Sequence, residues 1–154
     1  YEEALKGRRQ QLGDLHPSTL VSVNDLGMLL KDMGRLAEAE PLLQEALKGK
    51  RQQLGDLHPS TLVSVNNLGM LLKDMGRLAE AEPLFQEALK GKRQQLGDLH
   101  PSTLGTVNNL GVLLKDMGKL AEVEPLYEEA LKGNRQQLGD LHPSTLASVN
   151  NLGL

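Results

Sequence analysis

The sequence predicts an all-α fold, an α-solenoid of stacked antiparallel helix pairs, and three observations carry that expectation. The first is internal repetition: laid on Leu43–Leu84, the segment Tyr1–Leu42 is identical at 38 of 42 positions. Leu43–Leu84 laid on Phe85–Leu126 gives 36 of 42, and Tyr127–Leu154 continues the series for 28 residues. The second is apolar spacing at about 100° per residue, the helical period. The third is punctuation, since a proline opens and a glycine closes a segment of helical length in each repeat. Self-similarity at a fixed period marks arrays whose units bury their apolar faces only against neighbours. The lattice runs over 1–154 as one array, with units 1–42, 43–84, 85–126 and a partial 127–154, and leaves no linker.

Within a repeat the elements follow in order, here in the numbers of the second unit. A first helix is predicted from Pro59 to Met75, because proline suits the first helical position, where a missing N–H costs nothing. His58 then becomes the N-cap, and Leu57 stands at staple spacing from Leu62. Leu62, Val65, Leu68, Gly69, Leu71, Leu72 and Met75 fall on one broad side, and Val63, Asn66, Asn67, Met70, Lys73 and Asp74 on the other. Gly76 supplies a left-handed C-terminal cap. A second helix is predicted from Arg77 to Leu96, closed in the same way by Gly97. Leu78, Ala81, Leu84, Phe85, Ala88, Leu89 and Leu96 share its apolar face, opposite Glu80, Glu82, Gln86, Glu87, Lys90 and Arg93. Pro83 points outward and removes one hydrogen bond. Gly91 weakens the helix by about 1 kcal/mol relative to alanine, and close helix approach is the only reason visible in the sequence.

Composition removes several classes of function. Seventeen Lys+Arg stand against 20 Asp+Glu, a net charge of −3, and no basic block exists to grip nucleic acid or acidic lipid. Without cysteine there is no disulfide framework, thiolate metal site or cysteine nucleophile. Apolar runs are too short to span a membrane, and the first residues lack a signal pattern, so an intracellular, cytoplasmic setting is expected. His16, His58, His100 and His142 recur once per unit. Packed helices stand about 8–10 Å apart, too far for successive histidines to share a metal at about 2 Å. Helix capping is therefore their expected role, and no metal or cofactor is expected. Ser60, Thr61 and Ser64 lack a base held by a third group, and Glu80 and Glu82 sit on the polar helix face. No catalytic residue is expected.

Leu68-Gly69-x-x-Leu72, then Gly76, Leu78, Ala81, Phe85 and Ala88, resembles the tetratricopeptide repeat pattern. Val65 stands where that family places tryptophan, Leu72 where it places tyrosine, and Arg93 at its terminal proline. The 42-residue unit, with His-Pro, Asn-Asn-Leu and Ala-Glu-Pro-Leu, is similar to the extended repeats of kinesin light chains and nephrocystin-like proteins. The resemblance implies a right-handed solenoid whose first helices line a concave face. It also implies a non-catalytic scaffold that binds an extended peptide or partner protein there.

On that reading the face holds Asn24, Asn66, Asn108 and Asn150, followed by Asp25, Asn67, Asn109 and Asn151, with Val63, Met70, Lys73 and Asp74 in the second unit. An amide offers both donor and acceptor, so a ladder of them can read a peptide main chain. The competing expectation is that one asparagine of each pair bonds between helices and fixes repeat packing. The basic residues that clamp acidic tails are missing, and Met28 and Met70 suit an apolar or mixed peptide. The rival function is head-to-tail self-association. Tyr1 lies halfway along a second helix and Leu154 well along a first, which would leave Leu5 and Leu152 on open ends.

Overall fold

A computed structural model describes residues 2–153, and the expectations attached to Tyr1 and Leu154 lie outside the described residues. Among these the elements are all α-helices. In order they are α1 (Glu2–Leu12), α2 (Pro17–Asp32), α3 (Leu36–Leu54), α4 (Pro59–Asp74), α5 (Leu78–Leu96), α6 (Pro101–Asp116), α7 (Leu120–Leu138) and α8 (Pro143–Leu152). They gather into two compact halves, residues 1–76 and 77–154. In the N-terminal half each helix packs on the next, and α2 also touches α4. The C-terminal half repeats this, with α6 touching α8. First helices of successive repeats therefore lie side by side within each half. No described helix is long and apolar enough to cross a membrane.

Capping explains where the helices start and stop. At His16, His58, His100 and His142 the imidazole Nδ1 accepts the backbone N–H of the serine two residues on, at 3.1–3.2 Å. Each is followed by proline at the first helical position. At the other end of α2 the Arg35 N–H reaches back to the Leu30 carbonyl at 2.9 Å, and the Gly34 N–H to Lys31 at 2.9 Å. This paired closure needs Gly34 at φ 75°. Met75 is the C-cap of α4 and Arg77 the N-cap of α5, so both predicted helices are one residue shorter at this junction. Gly97 differs from expectation: with φ 90° and ψ 163° it adopts the mirror of an extended conformation, not a left-handed helical one. Leu57 remains 43% exposed while Leu62 is buried, so the staple position is not a core position.

The predicted apolar faces supply the core. Leu20, Val23, Ala39, Leu43 and Ala46 are fully buried in the N-terminal half, as are Phe85, Ala88, Leu104, Val107 and Leu113 in the C-terminal half. Leu78, Leu84 and Leu96 are only partly covered, because two stand at helix ends and one at the border of the face. The mid-helix glycines have a packing reason. A Cβ on Gly49 would lie 2.5 Å from Leu20 Cδ2, and one on Gly133 2.6 Å from Leu104 Cδ2. Gly91 occupies the same repeat position and is likewise buried. Helices α3, α5 and α7 continue through Pro41, Pro83 and Pro125, which are exposed.

Candidate functional site

In the N-terminal half, Val21, Asp25, Met28 and Asp32 recur three or four residues apart and so form one stripe of α2. Val63, Asn67, Met70 and Asp74 form the matching stripe of α4. Val21 and Val63 are each 41% exposed, and the methionines are partly so. In the C-terminal half the equivalent stripes carry Gly105, Asn109, Val112 and Asp116 on α6, and Ala147 and Asn151 on α8.

Beneath the first of these faces the structure places a polar network that joins three helices. Lys50 of α3 is buried, and its ammonium donates to Ser64 Oγ at 2.9 Å and to the Ser60 carbonyl at 3.4 Å. Ser64 Oγ in turn donates to Asn24 Oδ1 at 3.0 Å, and Asn67 Nδ2 donates to the same oxygen at 3.2 Å. In the C-terminal half Lys92 donates to Thr106 Oγ1 at 2.8 Å and to the Ser102 carbonyl at 3.3 Å. Asn134 takes the lysine's place one repeat on, donating to Ser148 Oγ at 3.0 Å, and Asn108 Nδ2 donates to the same hydroxyl at 3.2 Å. Arg8 makes the corresponding bond to Ser22 Oγ. The position requires a donor, which arginine, lysine and asparagine all supply.

Burial shifts the amines, neither of which is hydrogen-bonded to a carboxylate among the described residues. It pushes Lys92 down to about 8. It also lowers Lys50, against the opposing pull of Asp25. Lys31 behaves oppositely. Burial works against its charge, but Asp32 and Asp74, each 3.2 Å away, hold its pKa above the ordinary lysine value. Glu80 is held below the usual carboxylate range by its hydrogen bonds to the Arg77 guanidinium, at 2.6 and 2.8 Å. Glu82 is not the freely solvated group expected of a polar helix face: Lys119 reaches it at 2.8 Å, and its side chain is 17% exposed.

The predicted site residues divide by depth. Asn24 and Asn66, 6% and 8% exposed, are buried, and Asn24 bonds between helices. Asn108 is partly buried and also bonds between helices. Asn67, Met70, Lys73 and Asn109 are partly exposed, and Asn150 is exposed at the end of α8. Asn67 is held by its donor to Asn24, while its own Oδ1 takes no bond among the described residues. Sequence reasoning misses the buried lysines, although Lys92 follows Phe85 by seven residues and Ala88 by four, helical spacing that puts it on the apolar face. A groove of about 620 Å³ between α5 and α6, lined by Gln86, Leu89, Lys90, Arg93, Gln94 and Leu110, includes no predicted site residue. Among the described residues no group of three or more His, Asp or Glu could hold a metal ion.

A family model described as tetratricopeptide repeat matches residues 1–52, 23–94 and 59–136. No curated protein is matched by the sequence. Among solved structures, the chain is similar to nearly identical tetratricopeptide-like repeats assigned to a kinesin light chain of Podosopora anserina. That match has 29% identity and a TM-score of 0.82, over 89% of this chain and 65% of that one. A single-substitution variant of those repeats matches at 28% identity and TM-score 0.83, over 98% and 71%. BtubC (BKLC) from P. vanneervenii matches at 26% identity and TM-score 0.87, over 99% and 61%. The chain thus spans less than two thirds of the first and third of these.

Proposed function

Because the chain belongs to the tetratricopeptide repeat family, whose repeats generally mediate protein–protein interaction and typically form non-catalytic scaffolds, we propose that it binds an extended peptide on the face built by its first helices. The peptide can equally be a segment of a partner protein. The observation that carries this reading is Asn67. Its amide is fixed by Asn24 and its carbonyl oxygen takes no bond among the described residues, so it stands ready to accept a main-chain N–H whatever the peptide's sequence. Met70 and Val63 beside it offer adaptable apolar contact. Lys73, Asn109 and Asn150 extend the same kind of surface within their own halves. Asn24, Asn66 and Asn108 support it from below.

A selected extended peptide is expected to lose about 1–3 kcal/mol of affinity on Asn67→Ala with Asn109→Ala, since a backbone group is left unpaired. Folding should suffer less than in Leu68→Ala, a core truncation costing about 2–5 kcal/mol. Titration calorimetry beside urea unfolding measures both. Unchanged affinity would remove the binding role from these asparagines. If no peptide is retained while light scattering grows with concentration, the chain is a self-associating array instead.

A further inference from the structure

The N-terminal half departs from the repeat pattern at one position of its outer face. Where the later repeats have Asn67, Asn109 and Asn151, the first has Asp25, exposed and midway along α2. Neighbouring charges on this face are already neutralised: Lys31 pairs with Asp32 and Asp74, and Lys73 lies 3.8 Å from Asp74. Asp25 makes no hydrogen bond or ion pair among the described residues, and its one electrostatic partner is the buried Lys50. It is therefore an exposed carboxylate with no hydrogen-bonded or ion-paired partner among the described residues, on a face where Val21, Val63, Met28 and Met70 are apolar, Asn67 is neutral and Asp32 and Asp74 are paired with lysine.

Spacing relates these groups to an extended ligand. Four helical residues, Val21 to Asp25, rise about 6 Å, and two residues of extended chain span about 6.8 Å. A segment lying along α2 can thus set alternate side chains over Val21 and Asp25, with Val63 flanking from α4. We propose that this face selects a cationic side chain, lysine or arginine, with an aliphatic side chain two residues away, and that Asp25 is its counter-charge. The proposal rests on the peptide-binding reading above and names the chemistry of what is bound.

The test uses the full chain and three blocked Ser/Gly peptides with Leu-Ser-Arg-Ser-Leu, Leu-Ser-Gln-Ser-Leu or Leu-Ser-Glu-Ser-Leu at the centre. At low salt the arginine peptide should bind about fivefold more tightly than the glutamine one, the scale of a partly exposed ion pair. That margin should shrink as salt screens it. Asp25→Asn, which installs the amide found in the other repeats, should abolish the margin, and Asp25→Lys should transfer it to the glutamate peptide. Thermal melts of both variants establish that they are folded. Equal binding of all three peptides, unaffected by Asp25→Asn yet weakened by Asn67→Ala, would overturn the charge selection and leave the scaffold reading standing. An arginine preference that survives Asp25→Asn would take the role from Asp25. Failure of every peptide to bind would overturn both readings.

Discussion

Lys92 carries an amine into the core of the C-terminal half with only a hydroxyl and a carbonyl for company. Desolvation is the cause of its lowered pKa, about 8 against an ordinary 10.5. Between those values the unfolded chain binds more protons than the folded one, so stability should rise with pH there. Below 8 the full cost of burying the charge is felt. Tyr127, whose pKa burial raises, opposes this trend only near its own ordinary value of 10.0. Urea unfolding should therefore show greater stability at pH 9.5 than at pH 8, an interval chosen to lie between the lysine's two values. In Lys92→Asn the rise should be smaller, leaving the share due to Lys50, and stability at pH 7 should not fall, since Asn134 already fits the same repeat position. A fall at pH 7 with the same pH slope as wild type would contradict this. Periodicity places Lys92 on the apolar face; its charge obscures that, because long cationic side chains usually carry their heads to water. The sequence pattern misplaces Asn66 for a related reason. It borders the apolar arc at four residues from Leu62, and amphipathicity alone does not fix how far a neighbouring helix covers that border.

Among elements, the first and second helices are readable because each carries its own boundary chemistry. Histidine before proline, and glycine after the last periodic residue, act within a few residues of chain and need no partner helix. What sequence cannot assign is why glycine sits inside a helix. Gly49 and Gly105 separate two cases. At Gly49 a methyl would meet the Leu20 side chain at 2.5 Å, whereas at Gly105 nothing lies within 4 Å. Gly49→Ala should destabilise by about 1–3 kcal/mol through overpacking. Gly105→Ala should stabilise by up to about 1 kcal/mol through helix propensity. Thermal melts of the two variants decide between packing and propensity, and equal effects at both sites would refute the close-approach explanation.

At the scale of the whole molecule, the contacts least visible in the sequence join positions almost one repeat apart. Arg9 grips Glu45 through both carboxylate oxygens, at 2.7 and 3.0 Å, and Arg93 grips Glu129 at 2.6 and 2.7 Å. Local pattern shows these as unrelated surface charges, because the pairing exists only once neighbouring helices are in register. Repetition gives each half its own version of the lysine–hydroxyl contact, and the two versions form a pair of built-in clocks. Lys48 and Lys90 are exposed, while Lys50 and Lys92, two residues further along, are 3% and 4% exposed. An acylating reagent should label the first pair at once and the second only when a helix pair parts. Peptide mass spectrometry over time would then report how often each half opens, with the neighbouring lysine as its internal reference. Equally fast labelling at Lys50 and Lys48 would mean that the N-terminal half breathes freely on the reagent's timescale. Where the two clocks run at different rates, the nearly identical repeats are unequal in motion.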